Sequence, residues 1–231
     1  ENKLKKKQGK KKKKKKTIKK KTKGGKKRKN QEAIHNKLTE KETTVVLNEM
    51  LSWSGNSFNV LDEKSNVLYN IKGKILTLRD TMTIYDAKNK KVAVVYQKIF
   101  SLRTTFQIFR YIPISSGQES KEKDSDNVPL YRFARITKYM LSVFPKYVYQ
   151  LYNANNKKDN KKIMTMNRNF SLKKNYNIKD FNNQIICKIN QTSLIQFKEA
   201  NTYNVTVSPN ADLLGCIILA IVADNVSDKN N

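Results

Sequence analysis

Beyond Val45 the chain breaks into short runs in which apolar and polar residues alternate, rich in Val, Ile, Thr, Phe and Tyr. A period of two with one apolar face is the pattern of a half-buried strand. It predicts strands over 57–61, 67–72, 75–78, 82–85, 91–97, 104–111, 130–137, 147–152, 163–166, 183–188 and 202–207. The segment Asp86-Ala87-Lys88-Asn89-Lys90 has turn chemistry and makes a hairpin of its two flanking runs. Strands follow one another without intervening helical patterns, so an antiparallel meander is expected and not βαβ units. Two polar stretches, 113–129 and 153–162, read as surface loops.

The last apolar run, Leu213 to Ala223, breaks the alternation. Ser208 as N-cap and Pro209 at the first helical position predict a helix over 209–223. Such a helix is apolar all round and is expected to be enclosed by protein on every side. A strand competes for the same residues, but the run exceeds ordinary strand length.

Charge changes the picture at the other end. Residues 1–29 hold 19 of the 48 Lys and Arg against Glu1 alone, leaving 29 basic and 18 acidic residues in the rest, a net of +11. Only Leu4 and Ile18 are sizeable apolar residues there, and like charges four apart repel in a helix, so a disordered tail is expected. Within it Lys26, Lys27, Arg28 and Lys29 resemble a nuclear import signal. Residues 30–44 mix signs, and Ile34 and Leu38 lie one helical turn apart, which permits a short leading helix. The expected organisation is a tail and linker over 1–44, one domain over 45–225 and a disordered end over 226–231. No secretory signal or spanning segment is read, and Cys187 and Cys216 in apolar surroundings suit buried reduced thiols. A cytoplasmic location, with peripheral membrane association and nuclear import, is the corresponding expectation.

Several chemistries find no residues to carry them. His35 is the only histidine and lies before the domain, so neither a Ser-His-Asp nor a Cys-His arrangement is expected. Two cysteines 29 residues apart do not make a zinc set, and seven glycines spell no phosphate loop. Asp124-Ser125-Asp126-Asn127 has the opening of a calcium loop, but Val128 and Pro129 follow where a ligand and Gly are needed. Asp62, Asp80, Asp86 and Glu199 read as solvated turn and strand-end acids. No catalytic residue, metal ligand or cofactor is expected, and the protein reads as non-enzymatic. Lys72, Lys74, Arg79, Lys98, Arg103 and Arg110 recur along neighbouring strands. They either form one positive face for a phosphorylated headgroup or decorate outward positions for solubility.

Lys74-Ile75-Leu76-Thr77-Leu78-Arg79 recurs 24 residues later as Lys98-Ile99-Phe100-Ser101-Leu102-Arg103, as two equivalent strands of a meander would. These two segments, Gly73 before the first, the hairpin between them, and the ending Asn201-Thr202-Tyr203 through Val207, Pro209 and Asp212 resemble the LURP-one-related family. That family shares its fold with the tubby C-terminal domain and the phospholipid scramblases. The resemblance implies a mainly β domain, a closed antiparallel barrel of about twelve strands around a buried C-terminal helix. It also implies phosphoinositide binding by analogy with tubby domains and membrane association by analogy with scramblases. The leading expectation is a binding module for anionic phospholipid headgroups, aided by the basic tail. The alternatives are a nuclear or nucleolar protein held on nucleic acid by that tail, and a scaffold for a protein partner.

Overall fold

The computed structural model describes residues 38–50, 57–74, 81–98, 103–120, 122–139, 146–153, 155–168, 175–192 and 202–228. The expected disordered tail, the import-like residues Lys26 to Lys29, the strand at 75–78 and the last residues, 229–231, lie outside them. Among the described residues thirteen strands and one helix form: β1 Thr43–Met50, β2 Ser57–Leu61, β3 Val67–Lys74, β4 Thr81–Asp86, β5 Lys91–Gln97, β6 Thr105–Arg110, β7 Glu122–Lys123, β8 Pro129–Tyr139, β9 Lys146–Tyr152, β10 Lys158–Arg168, β11 Tyr176–Lys179, β12 Ile185–Gln191, β13 Thr202–Val207 and α1 Leu213–Asp228.

Each strand pairs antiparallel with its chain neighbours, except that β6 and β7 do not pair, and two pairings close the ring. Thr43 to Asn48 of β1 pairs with Thr202 to Val207 of β13, and β6 pairs with β8 across the short β7, which attaches only to the outside of β8. The result is a closed twelve-stranded barrel with no free edge in the ring, as the resemblance implied. Inward positions carry the alternating apolar residues, among them Val45, Leu47, Phe58, Ile71, Ile84, Phe106, Ile108, Ile136, Tyr147, Met166, Ile189 and Val205.

α1 fills the barrel. Every residue from Cys216 to Asp224 is buried, so the all-round apolar pattern does what an enclosed helix requires. Its buried carboxylate Asp224 accepts a hydrogen bond from the hydroxyl of Tyr203 on β13. Between α1 and β3 to β5 only a thin apolar seam remains, lined by Ile71, Met82, Ile84, Val95, Ile218 and Ile221.

The helix begins later than its sequence suggested. Ser208 is not its cap: the Ser208 N–H bonds to Ile186 O (2.9 Å), and Asn210 takes a left-handed φ of 62° in a turn. Asp212 is the cap, its Oδ1 accepting the Gly215 N–H at 3.1 Å while its carbonyl accepts the first helical bond from Cys216 N–H. The leading helix at 30–44 fails over its described part. Leu38 instead bridges Asp212, Thr39 bonds to Ala211 O and Asn210 N–H, and β1 starts at Thr43. The polar stretch 153–162 is only half a loop, because Lys158 already opens β10.

One end of the barrel is closed by five copies of one turn. They are Asp62–Asn66, Asp86–Lys90, Asp124–Val128, Asn153–Lys157 and Asp180–Gln184, and in each the first residue's N–H bonds to the fifth residue's carbonyl. The first side chain's Oδ1 accepts the fifth N–H in return, at 2.8 to 3.0 Å. The fourth residue, Ser65, Asn89, Asn127, Asn156 or Asn183, lies at φ between 57° and 66°, where Asn is tolerated better than most residues. The 24-residue repeat is therefore a whole hairpin: β2–β3 with its turn at Asp62 recurs as β4–β5 with its turn at Asp86.

Candidate functional site

The acids of the turn end are occupied in holding the fold. Asp124 receives the Lys91 ammonium at 3.0 Å, the Tyr111 hydroxyl at 3.0 Å and the Val128 N–H, while Asp126 pairs with the same Lys91. Burial works to raise the Asp124 pKa, yet these hydrogen bonds outweigh it and hold the carboxyl below its ordinary value. The Lys91 ammonium thus engages both acids of the segment whose sequence has the opening of a calcium loop. The segment 113–129, expected as a plain surface loop, folds back over the outer face of the barrel, where Val94, Phe109 and Leu130 form a small second core.

Arg110 belongs to the interior. It shares the period-two face of Phe106 and Ile108, is 3% exposed, stacks on Phe133 at 3.4 Å and reaches Asp212 at 3.5 Å. The fully buried Tyr149 faces the same corner, and burial, then the Asp212 charge, push its hydroxyl pKa well up. This knot ties the helix start to the wall, so Arg110 does not lie on the outer face with Lys72. Cys216 is fully buried with the Cys187 thiol as a neighbour, and the interaction with that thiol, with burial, raises its own pKa well above the ordinary value. A thiol so placed is a poor nucleophile.

The other sequence-predicted residues divide. Lys72 points outward, its ammonium 5.1 Å from the Tyr85 ring, and Lys98 and Arg103 are exposed. Lys74 ends β3 with its side chain outside the description, and Arg79 lies in the undescribed 75–80. Lys98 and Arg103 are brought close by the β5–β6–β8 register. The Lys98 N–H bonds to Thr105 O (2.8 Å), Thr105 pairs with Thr137, and the Lys138 N–H bonds to Thr104 O (3.0 Å).

That register also assembles residues that no sequence motif marks. On β8 the inward positions are Ala134 and Ile136, so Arg135, Thr137 and Tyr139 face out, and Tyr139 pairs with exposed Lys146 of β9. The Arg103 guanidinium stacks on the Tyr139 ring at 4.9 Å. β5, β6, β8 and β9 are consecutive around the barrel and contain no Asp or Glu at all. Of the cations on and beside them, Lys91, Arg110 and Arg132 are paired with Asp124, Asp126, Asp212 and Glu122. Lys98, Arg103, Arg135, Lys138 and Lys146 have no carboxylate within ion-pair distance among the described residues. Lys138 lies on the inward-facing side with Ile136, beside buried Tyr147, and burial lowers its pKa.

A closed twelve-stranded meander around an apolar C-terminal helix is the architecture implied by the sequence resemblance, and a profile of the LURP-one-related family matches residues 42–224. The chain belongs to the LURP-one-related family. A solved X-ray structure of a protein from Arabidopsis thaliana is similar to it, with a TM-score of 0.53 and 15% identity, over 82% of this chain and 94% of that one. At that identity the likeness is one of fold. No match was found among the curated proteins. The LURP-one-related family is not one of known enzymes.

Proposed function

We propose that this LURP-one-related barrel is a non-enzymatic module that binds anionic phospholipid surfaces, phosphoinositides among them, through the outer wall of β5, β6, β8 and β9. The supporting observation is the wall's composition: four outward cations, Lys98, Arg103, Arg135 and Lys146, and no carboxylate on four consecutive strands. Cations placed only for solubility are interspersed with acids, as they are around the turn end. At about 1 kcal/mol per cation near an anionic leaflet, four give roughly 4 kcal/mol, a preference of about a thousandfold over a neutral surface. The polylysine segment adds attraction of the same kind without selectivity. The test is co-sedimentation of the full chain with vesicles of neutral lipid, and of neutral lipid doped with phosphoinositide, at physiological salt. Enrichment on the doped vesicles is expected. Equal recovery on both removes the reading, and tight salt-sensitive retention on duplex DNA alone would replace it with nucleic-acid binding through the tail.

A further inference from the structure

The chain has two cysteines, 29 residues apart, and the fold brings them together. Cys187 lies on β12, on the inward face with Ile189, and pairs with Val207, the last residue of β13. From Val207 the chain turns over 208–212 and enters α1, whose first helical bond is donated by the Cys216 N–H to Asp212 O. The two cysteines therefore stand at the same end of the barrel, one on the wall and one on the helix start, both within the main core and 1% and 0% exposed. Their thiols are free and are neighbours. As packing, a small apolar side chain would serve at either place. It could not do what two adjacent thiols can, which is to exchange their S–H bonds for one S–S bond. α1 is also the element for which such a bond matters most. It has no ladder bonds to the wall and is held by apolar packing and by side-chain contacts such as Arg110 with Asp212 and Tyr203 with Asp224.

We propose that Cys187 and Cys216 are a reversible thiol–disulfide latch: oxidised by a small-molecule disulfide such as that of glutathione, they join the start of α1 to β12 and fix the helix in the barrel. In the closed barrel both sulfurs are buried out of reach of such a reagent, and the raised Cys216 pKa keeps that thiol protonated. Exchange therefore runs through an opened state in which the helix start has lifted. There one cysteine, as thiolate, attacks a sulfur of the small disulfide and a small thiolate leaves. The second cysteine then attacks the first cysteine's sulfur in the mixed disulfide and expels the other small thiolate. Two protein thiols become one disulfide, two electrons pass to the reagent, and the two thiol protons end on the two small thiols released. Excess small thiol runs the same steps backwards. The latch closes in an oxidising medium and opens in a reducing one, and it turns a helix held by packing into one tied covalently to the wall. It is independent of the membrane reading, since neither cysteine lies on β5, β6, β8 or β9.

The experiment uses the full chain, reduced and then equilibrated in glutathione buffers from reducing to oxidising, in one series without urea and in another with urea held below the unfolding transition. Remaining thiols are trapped by alkylation, and peptides are mapped by mass spectrometry without reduction. A peptide cross-linked between Cys187 and Cys216, lighter than its two reduced parts by two hydrogens, is expected in the oxidising buffers and is expected to form faster in the urea series. The bond closes a loop of about 30 residues in the unfolded chain, so the oxidised protein should melt roughly 5 to 15 °C above the reduced one, and added thiol should reverse the gain. Cys187→Ala and Cys216→Ala, each checked for folding by circular dichroism, should show no shift between the two buffers. If a variant does not fold, the wild-type chain compared in its two redox states carries the test alone. Glutathione attached to either cysteine with no cross-linked peptide, disulfides only between chains, or an oxidised form that melts at or below the reduced one overturns the latch. Oxidation equally fast with and without urea overturns the opening step.

Discussion

Gly215→Ala sets helix propensity against the packing of the helix start, and the two predict opposite signs. Gly215 lies in the first turn of α1, three residues after the Asp212 cap, and propensity alone makes alanine better by about 1 kcal/mol. A Cβ built there lies 2.8 Å from Asp212 Oδ2, 3.1 Å from its Cγ and 3.1 Å from the Tyr149 hydroxyl. A flexible side chain could move aside at little cost, but this carboxylate is held at both oxygens, Oδ1 by the Gly215 N–H and Oδ2 by Arg110. Tyr149 is fully buried and cannot swing into solvent. Displacing the cap costs about 1 kcal/mol and overpacking a filled core about 1 to 3 kcal/mol. The net expectation is destabilisation by about 1 to 3 kcal/mol, a fall in Tm of roughly 3 to 10 °C for a domain of this size. Thermal melting followed by far-ultraviolet circular dichroism, with urea titration as a second probe, measures it. An unchanged or raised Tm would refute the reasoning that the capped corner at Asp212 is rigid and close-packed.

Three further outcomes follow from the same geometry. Arg110→Met should destabilise the barrel by about 2 to 4 kcal/mol, because Asp212 is left charged and largely buried, and Arg110→Met with Asp212→Asn should cost less than the sum of the single changes in urea titrations. Asn89→Gly should be neutral or stabilising, whereas Asn89→Val should lose about 1 to 2 kcal/mol by chemical denaturation, since a φ of 58° is strained for a β-branched residue. Asp124 has a folded pKa below its ordinary 3.8, so its contribution is fully present above that value and disappears as pH falls through the folded pKa. The stability gap between wild type and Asp124→Asn should therefore be constant near neutrality and narrow only below about pH 4, and a gap that widens on acidification would show the sign to be wrong.

Alternation made much of the fold legible. Lys91–Gln97 and Thr202–Val207 are strands over the residues that their patterns predict, and the apolar run from Leu213 needed an enclosing barrel before any barrel was described. The failures have local causes. β1 hides because its sequence ends Asn-Glu-Met, with Glu49 buried at a position that reads as surface, and β11 offers only Tyr176 and Ile178 in four residues. Ser208-Pro209 has good capping chemistry, but Ser208 is already bonded to Ile186 and Thr39, contacts across 22 and 169 residues that no local window contains. Each of the five turns opens on Asp or Asn and places Asn or Ser fourth, but only the Asp86 turn lies between two strongly alternating runs that mark it in the sequence.

The candidate site was legible in part, and for the same reason. Lys98 and Arg103 stand out in the 24-residue repeat, and they do lie together. Arg110 shares their charge and lies on a neighbouring strand, but its alternation with Phe106 and Ile108 places it on the inner face. Arg135 and Lys146 are unremarkable along the chain and acquire meaning only because β6, β8 and β9 are neighbours. The missing acids are a property of four strands taken together, which becomes visible once the register is known.

The most direct measurement is lysine labelling of the full chain with and without phosphoinositide vesicles, read residue by residue by mass spectrometry. Protection of Lys98 and Lys146 with unchanged labelling of Lys64 and Lys88 at the turn end is the predicted result. Protection confined to the polylysine segment, with Lys98 and Lys146 labelled as in the absence of lipid, would contradict the claim that the carboxylate-free wall meets the membrane.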